Sequence, residues 1–60
     1  MDKQELIEYN ESKILSANEL IRDINDKYNN DEAMTSIVSP LLSGLVQIIE
    51  KNNDFLLSVK

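Results

Sequence analysis

The chain contains no cysteine and no histidine, and only one glycine and one proline among its 60 residues. Each shortage closes off a class of function. Without cysteine there is no disulfide framework and no thiolate metal site. Without histidine the commonest general base and metal ligand is missing, so proton transfer would fall to carboxylates, lysine or tyrosine. With Gly44 as the sole glycine, no glycine-rich loop can wrap a phosphate. Basic residues are scarce as well, six against eleven acidic, for a net charge of −5. Phosphate backbones and anionic membrane surfaces are held by basic patches, so neither is expected as a direct partner.

The acidic residues do not assemble into a site on paper. Glu5 with Glu8, and Glu19 with Asp23 and Asp26, fall on the outward face of a helix by periodicity, where solvation accounts for them. Residues 26–31 place oxygen side chains like the start of a calcium loop, but glycine is absent from the sixth position and Ile37 stands where the twelfth-position glutamate belongs. No catalytic, cofactor-binding or metal-ligating residue is assigned, and no enzyme is expected.

Length sharpens the problem. A single domain over residues 1–60 buries only about 60% of its unfolded surface and is marginal alone. Small domains gain support from disulfides, a metal or a second subunit. Composition removes the first and the thiolate form of the second, which leaves oligomerisation.

What is present centres on residues 33–49, AMTSIVSPLLSGLVQII, a run without a charged residue. At 100° per residue, Met34, Ile37, Val38, Leu41, Leu42, Leu45, Val46, Ile48 and Ile49 fall within one arc of roughly half the helix circumference. Ser36, Ser39, Pro40, Ser43, Gln47 and Glu50 form the opposite stripe. A lipid-facing helix is apolar all round, so the polar stripe favours burial against protein. The arc is wider than the roughly 100° that packs on one neighbour. It therefore asks for at least two neighbours. Leu41, Leu45 and Ile48 lie near its middle and are expected to be buried whichever neighbours those are; Leu42, Val46 and Ile49 lie toward one edge and Ile37 toward the other.

The rest of the chain supplies one neighbour. Asp2 followed by Glu5 has the spacing of a capping box. Neither Gly nor Pro interrupts residues 1–30. Ile7, Ile14, Ile21 and Tyr28 recur every seventh residue, with Asn10, Ala17 and Ile24 three places after the first three, a heptad pattern that predicts a helix over about 3–28. Residues 28–32, YNNDE, form a turn signal in which Asn29 or Asn30 can close the first helix in a left-handed conformation and Asn30 or Asp31 can cap the second. So short a connection implies antiparallel neighbours. The second helix is expected over about 32–51. At Pro40 it either kinks and continues, which the unbroken phase of the arc favours, or stops and restarts with Ser39 as N-cap. Residues 51–54 suggest fraying or a break, after which the helix extends to the C-terminus or a short terminal helix over 54–59 folds back.

The expected fold is therefore all-α: an antiparallel two-helix hairpin with the second helix kinked at Pro40, dimerising into a four-helix bundle. Candidate oligomer or partner contacts are Leu15, Ile37, Leu41, Leu42, Leu45, Val46, Ile49 and Phe55, and Asn10 and Asn52 are candidates for fixing register, as single polar residues do on apolar seams. The function expected is that of a small acidic protein–protein interaction or regulatory module acting as a homo-oligomer, without a cofactor, with an unidentified protein partner as a further candidate. Two alternatives come from other classes: a small membrane protein inserting residues 33–49, and an acidic inhibitor that imitates nucleic-acid charge. The N-terminal MDKQELIEYN has no apolar core region of the kind a secretory signal carries, and a cytoplasmic location is expected.

Overall fold

The computed structural model describes residues 2–59 and is an antiparallel helical hairpin, 46 Å long and 14 Å across in each other direction. Helix α1 spans Lys3–Lys27. Asp2 caps it, its Oδ1 accepting from the Glu5 backbone N–H at 2.8 Å, which satisfies one of the donors a helix start leaves open. The helix ends through Tyr28, whose N–H bonds the Ile24 carbonyl at 2.9 Å. Among the described residues no side chain sits at positive φ, so the left-handed closure expected at Asn29 or Asn30 is not used. A hydrogen bond from the Asp31 N–H to the Tyr28 carbonyl, 3.0 Å, turns the chain instead.

Asp31 then starts the return helix. Its Oδ1 accepts from the Met34 N–H at 3.1 Å, and its carbonyl accepts from the Thr35 hydroxyl at 3.0 Å. Helical backbone is unbroken over 32–58. Within it Met34–Val38 forms a π segment, and Ser39–Ser58 forms α2. The Ser39 N–H reaches back five residues to the Met34 carbonyl. Proline offers no N–H and crowds the carbonyl four residues before it. The wide turn just ahead of Pro40 opens room there, a familiar use of a π-bulge. Ser39 itself is helical (φ −62°, ψ −48°) and no side chain caps a new start, so the helix does not stop and restart. Nor does it break at residues 51–54: of the two continuations left open there, α2 takes the extension, to Ser58.

The seam of α1 is the one its heptads mark. Ile7, Asn10 and Ile24 are buried, and Ile14, Ala17 and Ile21 are half-buried. Tyr28, past the last helical turn, is exposed. Opposite them lie Val46 and Asn53, both buried, with Leu42, Ile49 and Leu56 half-buried. At the open end of the hairpin the Lys3 ammonium donates to the Val59 carbonyl, joining the start of α1 to the end of α2. Among the described residues the buried apolar core is thus Ile7, Ile24 and Val46. Ile24 is 1% exposed and has the most to lose. Ile24→Ala is expected to lower the unfolding free energy by about 2–5 kcal/mol. Gly44→Ala, whose added methyl meets nothing within 4 Å, is expected to raise it by about 0.5–1 kcal/mol by restricting the unfolded chain. Urea midpoints at one protein concentration measure both.

Candidate interaction surface

Two seams run along α2, and only one is occupied. The occupied seam follows Leu42, Val46, Ile49, Asn53 and Leu56, at alternating spacings of four and three, and faces α1. Its polar member is matched. The Asn10 side-chain N–H donates to the Asn53 Oδ1 at 2.8 Å, and the Asn53 Nδ2 donates to the Ile7 carbonyl at 3.3 Å. Both side chains are buried, and no buried side-chain polar atom among the described residues lacks a partner. The residue facing Asn10 is Asn53, which the sequence pattern did not single out. Consecutive residues point about 100° apart on a helix, and Asn52 lies on the open side.

The second seam follows Leu41, Leu45, Ile48, Asn52 and Phe55, again at alternating spacings of four and three, and is open; Val59, next in the spacing, lies past the end of the helix with extended backbone. Leu41 is 61% exposed, Leu45 47%, Ile48 64% and Phe55 65%, with Ile37 at 65% beside them. This corrects the expectation for the middle of the arc. Leu41, Leu45 and Ile48 are exposed in the hairpin because α1 packs on the edge through Leu42, Val46 and Ile49, where the Asn10–Asn53 pair lies. Of the other residues singled out, Leu15 is exposed on α1 away from the seam, Val46 is buried within the hairpin, and Leu42 and Ile49 are half-buried there.

Area gives the same picture. The accessible surface is 4681 Å² for a 6.9 kDa chain. A compact monomer of that mass exposes about 4,000 Å² by the usual scaling of surface with mass. The excess, roughly 700 Å², approaches the about 800 Å² that each partner gives up in a standard protein–protein interface.

The described residues form no pocket and no group of three or more side chains able to hold a metal ion. None of their helices is long and apolar enough to cross a membrane. The outward face of α1 is polar, with the Lys13 ammonium 5.0 Å from the centre of the Tyr9 ring. No protein-family model matches the chain, and no curated protein or solved structure matches it significantly.

The asparagine pair makes its own test. Asn10→Leu or Asn53→Leu alone strands a buried amide and is expected to cost about 1–3 kcal/mol. The double substitution removes both amides and should cost clearly less than the sum of the two. A double-mutant cycle by chemical denaturation reads the difference.

Proposed function

We propose that this chain is a non-enzymatic association module whose working form is a homodimer, two hairpins joined along the open seam of α2 into a four-helix bundle. The observation that carries this is the exposed row Leu41, Leu45, Ile48 and Phe55, set at helical spacing on a single well-formed helix. Soluble monomers seldom leave so continuous an apolar face in water. Burial of that row also supplies what the hairpin lacks, since the three buried apolar side chains among the described residues leave so short a chain little margin. A bend of the helix axis at the π segment ahead of Pro40 belongs to the same proposal, with Ile37 brought toward the second subunit. The acidic outer face keeps the bundle soluble and presents a charged surface for regulatory contacts with other proteins.

The membrane alternative needs a helix able to span, and the described residues hold none. The charge-mimic alternative rests on acidic residues that a solvated helix face explains equally well.

Charge placed on the seam tests association directly. Leu41→Glu and Ile48→Glu each bury a carboxylate in the proposed interface while leaving the α1-facing seam intact. Sedimentation velocity at micromolar concentration is expected to give a dimer for the native protein and a monomer, or at least a hundredfold weaker dimer, for either variant. A native protein that sediments as a monomer, or variants that associate like it, would contradict the proposal.

A further inference from the structure

The open seam carries one polar residue, and it determines how a second copy sits. Leu45, Asn52 and Val59 recur every seventh residue; Leu41, Ile48 and Phe55 lie four places before each. In heptad terms the first set occupies a positions and the second d positions. The occupied seam shows how these positions meet. There the helices run antiparallel, and Asn53, at an a-type place, meets Asn10, at a d-type place three residues after Ile7. An antiparallel match of two open seams would follow the same rule. It would set Asn52 against Leu41, Ile48 or Phe55 of the other copy, all apolar, and leave its amide buried without a partner. That arrangement costs the desolvation of the amide. A parallel match sets like positions against like, so that Asn52 meets the one other polar side chain on the seam, Asn52 of the partner subunit.

We propose that two copies associate with their α2 helices parallel about a two-fold axis, in the register that hydrogen-bonds the two Asn52 amides to each other. This rests on the homodimer reading and specifies its geometry. Single asparagines at a positions fix register and oligomer state in parallel helical pairs at some cost in stability. The seam length also fits: the helical part of the seam, Leu41 to Phe55, rises about 21 Å at 1.5 Å per residue, most of α2. The antiparallel α1 beside each α2 offsets the repulsion between two aligned helix dipoles.

The chain has no cysteine, so an introduced thiol is unique. Asn52→Cys places two thiols at the axis within disulfide reach in the parallel register. Ser43→Cys, on the exposed polar face, reports random collision. Under mild oxidation Asn52→Cys is expected to form covalent dimer in at least tenfold greater yield than Ser43→Cys, with the reduced variant sedimenting as a dimer. A reduced variant that is dimeric but crosslinks no better than the control overturns the parallel register and leaves association standing. A native protein and reduced variant that are both monomeric overturn register and association together. Asn52→Leu provides a second readout: loss of the polar pair is expected to raise the thermal midpoint and to broaden the dimer into mixed oligomers, whereas an unchanged dimer with an unchanged midpoint contradicts a buried amide pair.

Discussion

A helix covers roughly 100° of its neighbour, and α2 is apolar over nearly twice that. Everything else in the molecule depends on this mismatch. With one companion helix in the chain, one edge of the arc can be covered and the remainder cannot. The covered edge becomes the hairpin interface. The remainder stays in water as a second seam with the same three-and-four spacing as the first. The small core, the elongated shape and the surface in excess of a compact monomer follow from that single shortage of partners.

The axial register of α1 on α2 is decided by polar groups as much as by apolar ones. Apolar burial alone is non-directional and would accept more than one register. The Asn10 amide accepts fewer solutions. It sits on the apolar stripe of α1 and must find a partner when it is buried; Asn53 on the Leu42–Val46–Ile49 line offers it an acceptor and donates its own N–H to the Ile7 carbonyl. A slide of one helix along the other would carry Asn53 out of reach and strand Asn10. The pair contributes little net stability, yet it penalises every other register. Asn52 stands to the open seam as Asn53 stands to the closed one, and in the proposed dimer each asparagine serves its own interface.

Much of the fold could be read from the residues. The heptads of α1, the Asp2 cap, the short turn and the length of the second apolar run all specify a hairpin through local rules that act within a few residues. The width of the arc was legible too: α1 covers one edge of it and leaves the rest exposed. Three features were not. The centre of the arc is not what α1 covers, because a helical wheel ranks faces by hydrophobicity and takes no account of a single buried amide. Asn53 was not singled out because adjacent asparagines differ only by about 100° in phase, and each stands on an apolar line of its own. The π segment that absorbs Pro40 leaves no distinctive residue pattern, since Met34–Val38 is ordinary apolar sequence. The open seam itself was visible only as part of one broad arc; its separation into two seams required the position of α1.

The central claim is that the hairpin is half of a core and that folding is completed by a second copy. The dependence of the thermal midpoint on protein concentration tests it most directly, with the native sequence and no label. Unfolding of a dimer of two 60-residue chains, at about 0.7 kcal/mol of enthalpy per residue, should raise the midpoint by about 5 °C for each tenfold increase in concentration. A midpoint that holds within a degree across about a hundredfold range, with a cooperative transition throughout, would show that the hairpin folds alone and would contradict the account.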